Sequence, residues 1–271
     1  MMRKYVLGLP VDVLKKTEVV DLLSKWIIKP ADKLKQVVTA YSEFYVNGNR
    51  DLVFGKIIKK SDLVTPDGRS VLAAVAYKEI SKIHKSVFLK FFDGLKVGAR
   101  ILKDDLGETV TGVWLLEEVC ALAARKGWKV FVLGGWGNVN QRASKLLLDR
   151  FPNLRLMSDS GERHVGEYPE DNARVINKIN KFKPDFLFVQ YKPIQQEKWI
   201  YENRKLLKAK VAVGIGGTLD ELVGDLKQAP IWMQKMGLKW LWRLIIQPKR
   251  WRRMVDAVIV FPWLVFREGI K

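Results

Sequence analysis

The sequence predicts an α/β fold built on a mostly parallel sheet, and three observations carry that prediction. Short β-rich runs at 37–41, 62–65, 130–133, 186–191 and 211–214 end in turn-forming or polar residues. Helical patterns follow them, the alternation expected when each strand returns through a crossover helix. With 271 residues and 48% hydrophobic content, the chain can bury a full core.

The elements are taken in chain order. At the N-terminus, Met1-Met2-Arg3-Lys4 precedes an apolar run too short for a signal peptide, so the chain is expected to stay on the side where it is made. The run 62–65 leads into Thr65-Pro66-Asp67-Gly68, which places Asp67 at the C-terminal edge of the sheet, where open α/β folds bind ligands. A carboxylate there can accept a hydroxyl proton; Pro-Asp-Gly is equally a common turn, and local sequence favours the turn. Segment 76–102 sets Ile80, Ile83, Val87, Phe88, Phe91 and Phe92 on one broad helical face among many lysines. A core-packing helix is the expectation, and an element that touches a membrane is the alternative.

After Leu133 the chain turns on Gly134-Gly135-Trp136-Gly137 and enters a helix predicted over 139–151, with Leu146, Leu147 and Phe151 inward. A strand, a glycine turn and a helix N-terminus suit a phosphate, although GGxG also serves an ordinary tight turn. The single cysteine, Cys120, excludes an intrachain disulfide and a cysteine metal cage, as in a reducing cytoplasm. His84 and His164 lack any HExxH or GxSxG context and read as structural, and Walker-type GxxxxGK[ST] and GxGxxG motifs are absent.

The C-terminal end is the most distinctive segment. Trp232, Trp240, Trp242 and Trp251 alternate with Lys235, Lys239, Arg243, Lys249, Arg250, Arg252 and Arg253, and no acidic residue lies between Asp225 and Asp256. Such rings and cations suit the headgroup level of an anionic bilayer. The apolar run 258–266 is far short of the ~20 residues a spanning helix needs and is interrupted by Pro262; it can dip into a membrane or pack on the body. The net charge of +19 demands an anionic partner: lipid headgroups, a phosphorylated substrate or nucleic acid. The expected division is a core over 1–230 and a basic, Trp-rich, helical, membrane-engaging appendage over 231–271.

Taken together, Val37-Val38-Thr39, Pro66-Asp67-Gly68, Val130-Phe131-Val132-Leu133-Gly134-Gly135, Gln196-Glu197-Lys198-Trp199-Ile200, Gly214-Ile215-Gly216-Gly217-Thr218-Leu219-Asp220 and Ala229-Pro230-Ile231-Trp232-Met233 resemble the TagA/WecG/CpsF glycosyltransferase family. So do Gly237-Leu238-Lys239-Trp240-Leu241-Trp242-Arg243-Leu244 and Pro248-Lys249-Arg250-Trp251-Arg252-Arg253. The resemblance spans 37–253, and the order of the motifs is more specific than any one of them. It implies a Rossmann-like transferase without cofactor or metal. An N-acetylmannosamine-type sugar would pass from a UDP donor, with inversion, to the 4-hydroxyl of N-acetylglucosamine on a polyprenyl pyrophosphate, at the cytoplasmic membrane face.

Asp67 would then be the base. Thr39, Gln196 and Glu197 would line the donor pocket, Gly135 with Gly216, Gly217 and Asp220 would form the nucleotide site, and Arg243, Arg250 and Arg253 would face the acceptor pyrophosphate. Guanidinium groups suit that task, being permanently charged and able to grip phosphate in two-pronged fashion.

The sequence departs from the family pattern at Tyr41, where Asn is usual, at Thr109, Trp114, Gln228 and Lys239, at the displaced Pro193, and by an apparent insertion between Gly68 and Gly112. An inactive relative that binds nucleotide sugar or lipid, and a basic nucleic-acid-binding protein, are the rival readings. No nucleic-acid recognition module accompanies the charge, so nucleic acid is not the expected partner, and a homo-oligomer stays open.

Overall fold

The computed structural model describes residues 3–29, 33–103, 105–161, 168–227, 229–230, 232–233 and 239–270, without the side chains of Leu102, Lys239 and Arg243. His164, Gln228, Lys235, Gly237 and Leu238 lie outside the described residues.

The chain opens with a hairpin of β1 (Arg3–Val6) and β2 (Leu9–Asp12), paired antiparallel. Its turn places Leu7 and Gly8 at φ 51° and 72°, the left-handed pair that a tight two-residue hairpin requires. Arg3 grips Asp12 through two hydrogen bonds of 2.8 Å, and Asp12 also accepts the Val64 N–H, which fastens the hairpin to the main sheet.

The main sheet has six parallel strands: β3 (Lys35–Ala40), β4 (Leu63–Pro66), β5 (Lys129–Gly134), β6 (Arg155–Asp159), β7 (Phe186–Gln190) and β8 (Val211–Gly214). Their spatial order is β4-β3-β8-β7-β5-β6. The five expected runs are all strands, and β6 is an addition. The strands alternate inward residues on both faces, as a sheet covered on both sides must.

One face carries Val37, Val130, Val132, Phe186, Phe188, Val211 and Val213. It packs on α1 (Lys16–Ile28), α6 (Gly112–Lys126), α7 (Val139–Arg150) and α10 (Thr218–Leu222). On the opposite face, Val38, Ala40 and Val64 meet α2 (Ser42–Arg50), α3 (Leu52–Lys60) and α4 (Arg69–Ser81). Phe131, Leu133, Leu187 and Val189 meet α8 (Pro169–Phe182) and α9 (Gln195–Asn203) on that same side. In α7, Leu147 is buried and Phe151 packs on the core, but Leu146 is 41% exposed, against expectation. Neighbouring residues on a helix lie ~100° apart, so the narrow contact takes only one of the two leucines.

Segment 76–102 is two helices, because α4 ends at Ser81 and α5 (Val87–Lys103) follows a turn. The expected inward face of α5 lies outward: Phe88, Phe91 and Phe92 are exposed, while Lys90 and Asp93 are buried. Asp93 is held at 2.7 Å from His84 Nδ1, and Lys90 donates to the carbonyl of Gly269 at 2.6 Å.

At the C-terminal end, α11 (Lys239–Ile246) leads through a 3₁₀ turn, Pro248–Arg250, into α12 (Trp251–Val255). A π turn, Asp256–Val260, then joins α12 to α13 (Phe261–Ile270) without a break. The wide turn makes room ahead of Pro262, whose ring cannot donate to the preceding turn. The 258–266 run therefore packs on the body: Phe261 and Val265 are buried beside α2 and α4, with Phe261 5.9 Å from the Tyr45 ring. Among the described residues, no helix is long and apolar enough to cross a membrane.

Candidate active site

Because all six strands run the same way, their C-terminal ends meet at one edge. Chain direction reverses between β5 and β7: β5 leads through α7 outward to β6, whereas β7 leads through α9 on the other face back towards β8. Such a switch point opens a crevice at the strand ends. Gly134, at φ 96°, lies against the carbonyl of Gln190 so closely that a Cβ would overlap it. Gly135, at φ 89°, packs on Asn140 and Leu219. The glycine turn is thus required by close approach of β5 to β7, and Asn140 secures it by donating to the Gly134 carbonyl at 2.6 Å.

Gln190 ends an otherwise apolar strand and organises the next loop. Its amide oxygen accepts the Leu219 N–H at 2.5 Å, and its amide nitrogen donates to Asp220 Oδ2 at 2.6 Å. Asp220 is therefore brought to the switch point by a residue that the sequence reading did not select; a lone amide closing the run Phe186-Leu187-Phe188-Val189 was the available signal.

One step along the edge, Thr39, Gln196, Glu197 and Gly216 form a single cluster. Thr39 donates to the carbonyl of Gly214 at 3.0 Å. Gln196 accepts the Gly216 N–H at 3.0 Å and donates to Glu197 at 2.6 Å. Glu197 is fully buried and takes the N–H of Ile194 at 2.9 Å. Ile194 has φ 73°, a conformation costly for a β-branched residue, and this bond holds the entry of α9 in place. Burial pushes the Glu197 carboxyl up to about 7, against the opposing pull of Gln196 and the backbone N–H groups. Gly217 continues the loop from Gly216 into α10, and a Cβ on Gly217 would meet nothing within 4 Å.

Asp67 lies in the junction between β4 and α4, with its N–H donating to Ala40 at 2.9 Å. It is partly exposed and close enough to Tyr41 to raise the phenol's pKa. Desolvation of the partly buried Tyr41 is the main cause that pushes its hydroxyl up, Arg253 pulls it down, and Asp67 is the smallest contribution. Arg253 Nη2 donates to the Tyr41 hydroxyl at 2.8 Å, and its Nε lies 2.9 Å from both carboxylate oxygens of Glu43. Burial raises Glu43 and Arg253 opposes that rise, so the pair is neutralised in place. These bonds use two of the five guanidinium N–H donors.

A second pair, Arg50 with Asp256 at 2.6 and 2.8 Å, joins α2 to the C-terminal helices again, seven residues beyond Glu43 and three beyond Arg253. Arg250 is partly exposed and within electrostatic reach of Glu43, whereas the Arg243 side chain lies outside the described residues. The predicted residues thus divide into three groups along one edge: Gly135 with Asp220 by way of Gln190 and Leu219, Thr39 with Gln196, Glu197 and Gly216, and Asp67 with Tyr41 and Arg253.

Gly112 opens α6 against the same loop, since a Cβ on it would strike the Thr218 hydroxyl and the Ile215 carbonyl, and Trp114 packs on the core under Lys16. Among the described residues, no group of three or more His, Cys, Asp or Glu is gathered in a metal-holding arrangement.

The profile of the Glycosyl transferase WecG/TagA/CpsF family matches residues 4–89 and 75–271. The chain is 25% identical over 266 residues to the N-acetylglucosaminyldiphosphoundecaprenol N-acetyl-beta-D-mannosaminyltransferase of Staphylococcus aureus (strain MRSA252), covering 98% of this chain and 93% of that protein. It is 29% identical over 163 residues to the protein of the same description from Bacillus subtilis (strain 168), covering 60% of this chain and 62% of that one.

Proposed function

The chain belongs to the WecG/TagA/CpsF family of glycosyltransferases, and on that premise we propose that it transfers an N-acetylmannosamine-type sugar from a UDP donor to N-acetylglucosamine on a polyprenyl pyrophosphate, with inversion. The observation that carries this reading is the convergence, at one sheet edge, of Asp67, the Thr39–Gln196–Glu197–Gly216 cluster and Arg253, which come from distant parts of the chain. The names of the two relatives support the acceptor, which each contains as N-acetylglucosaminyldiphosphoundecaprenol.

In the proposed reaction, UDP lies along the switch point by Gly135, Gly216, Gly217 and Asp220, and the sugar lies over Thr39 and Gln196, which are 4% and 2% exposed and offer it only an edge. Glu197 is buried, so it acts by holding Gln196 and the Ile194 backbone rather than by touching the sugar. Asp67 takes the proton of the acceptor hydroxyl. That oxygen attacks the anomeric carbon from the side opposite UDP, and the bond to the β-phosphate oxygen breaks with its electron pair. Arg243, Arg250 and Arg253 face the acceptor pyrophosphate, which places a lipid-linked substrate at the membrane and the protein at its surface.

Core 1–230 would supply the donor site and appendage 231–271 the acceptor site. The test is a panel of UDP-sugars with a short-chain lipid pyrophosphate acceptor, read by mass spectrometry. Product carrying an added N-acetylhexosamine from UDP-N-acetylmannosamine is expected, and absence of product with every donor contradicts the reading.

A further inference from the structure

The orientation of α5 is the reverse of what water alone selects. Phe88, Phe91, Phe92 and Leu95 follow each other at helical spacing on one stripe and are 69%, 53%, 43% and 56% exposed. The opposite stripe buries Lys90 and Asp93, at 9% and 1% exposure, and only Val97 on it is a fully covered apolar residue. Phe92 packs edge to face with both Phe88 and Phe91, at 4.8 and 5.9 Å, so the rings form one continuous ridge. A monomer in water gains nothing by such an arrangement, since a half-turn of the helix would exchange buried charge for buried phenylalanine.

The charges beside the ridge indicate what covers it. On the body side of α5, a cavity of about 420 Å³ opens between α4, α5 and the end of α13, and Lys78, Lys82, Lys85 and Lys90 line it together with His84. Its one carboxylate, Glu268, is already paired with Lys78 at 2.9 Å. Lys82 and Lys85 are exposed at its rim, and the exposed Lys96 follows Leu95 on the ridge side of the helix. Aromatic rings beside lysines complement a surface that is apolar inside and anionic outside. The family profile aligns in two pieces that overlap at 75–89, across α4 and the turn before α5, where the sequence carries its apparent insertion.

We infer that α5 is a membrane-docking element: the Phe88–Phe91–Phe92–Leu95 ridge enters the acyl boundary, and the exposed Lys82 and Lys85 in the turn before α5, with Lys96 on its flank, meet the headgroups of anionic phospholipid. The inference rests on the lipid-linked acceptor reading for its purpose but not for its test. It adds a second contact, in the folded core, to the one expected of the C-terminal tryptophans.

Two variants of the full chain decide it, Phe88→Ser/Phe91→Ser/Phe92→Ser and Lys82→Glu/Lys85→Glu, each checked by circular dichroism and gel filtration for an unchanged fold. Sedimentation is measured with phosphatidylcholine vesicles and with vesicles one-third phosphatidylglycerol. The parent chain is expected to prefer the anionic vesicles, the triple Ser variant to lose roughly tenfold or more in binding to them, and the Glu variant to lose the preference. Both variants should still transfer sugar to a short-chain, water-soluble acceptor, which separates docking from catalysis.

Equal vesicle binding by the triple Ser variant and the parent overturns the inference. So does a parent dimer that the Ser variant converts to monomer without change in vesicle binding, because the ridge would then cover a second copy. If the parent transfers no sugar yet loses vesicle binding through the Ser changes, the docking element stands and the enzymatic reading fails.

Discussion

Arg253 donates to the hydroxyl of Tyr41 at 2.8 Å, so one of the residues by which this chain departs from the family pattern is a partner of a proposed acceptor arginine. Glu43 completes the clasp from the first turn of α2, and the nearby Arg50–Asp256 pair lies more in solvent. Tyr41→Phe is expected to cost about 1.5–3 kcal/mol, the usual range for a hydrogen bond to a charged group. Arg50→Ala should cost less than about 1 kcal/mol, because exposed pairs are screened. Urea unfolding of the two variants checks the order, and equal costs would show that the Tyr41 bond is solvated.

Glu197 gives the fold a pH dependence whose sign follows from its burial. The folded carboxyl keeps its proton up to about pH 7, while in the unfolded chain it titrates near the ordinary 4.5. Between those values the folded state holds more protons, so its stability falls as pH rises from about 4.5 to about 7, by about 3 kcal/mol in this order-of-magnitude account. Glu197→Gln should flatten that part of the curve, measured by urea midpoints across the window. An unchanged slope would mean that Glu197 is ionised throughout.

Two of the three glycines in the β5 turn, Gly134 and Gly137, make different demands. Gly134→Ala would drive a Cβ into the backbone of Gln190, which cannot yield without parting β5 from β7, so little soluble folded protein is expected. Gly137 has φ 58° and open space around its Cβ position, so Gly137→Ala should fold and lose about 1 kcal/mol to backbone strain. Soluble yield and thermal midpoint test the pair, and a stable Gly134→Ala would show that the strand ends are less tightly joined than this geometry requires.

Five strands were legible because each is a short β-rich run that ends in turn-forming or polar residues, the pattern of strands buried on both faces. β6 escaped because Arg155-Leu156-Met157-Ser158-Asp159 is half exposed and holds no β-branched or aromatic residue, whereas the other edge strand, β4, is buried throughout. The hairpin Arg3–Asp12 escaped because only Gly8 marks its turn. In α5, periodicity revealed which residues share a face but not which face points inward; buried Lys90 and Asp93 are satisfied by Gly269 and His84, contacts that no local pattern encodes. The motif order led to Asp67, Thr39, Gln196 and Asp220, whereas Gln190 and the role of Tyr41 needed the sheet and the C-terminal helix in place.

The proposed arginines can be separated by what each already holds. Arg253→Lys would break the clasp with Tyr41 and Glu43 as well as any phosphate contact, so Arg250→Lys is the cleaner probe. It keeps the charge but loses the fork that grips pyrophosphate, and should lower transfer about tenfold while vesicle binding is retained. Transfer should persist in chelator. Full activity of Arg250→Lys would reduce that residue to a membrane contact, and activity lost in chelator and restored by magnesium or manganese would contradict a metal-free reaction.

The central claim is that Asp67 deprotonates the acceptor hydroxyl, and turnover of Asp67→Asn measured beside its UDP affinity tests it most directly. The amide keeps the size of the side chain and removes its basicity. The account predicts a fall in kcat of roughly a hundred- to ten-thousandfold with UDP binding nearly unchanged. Ordinary turnover in Asp67→Asn would contradict it and leave Asp67 as the residue that turns β4 into α4.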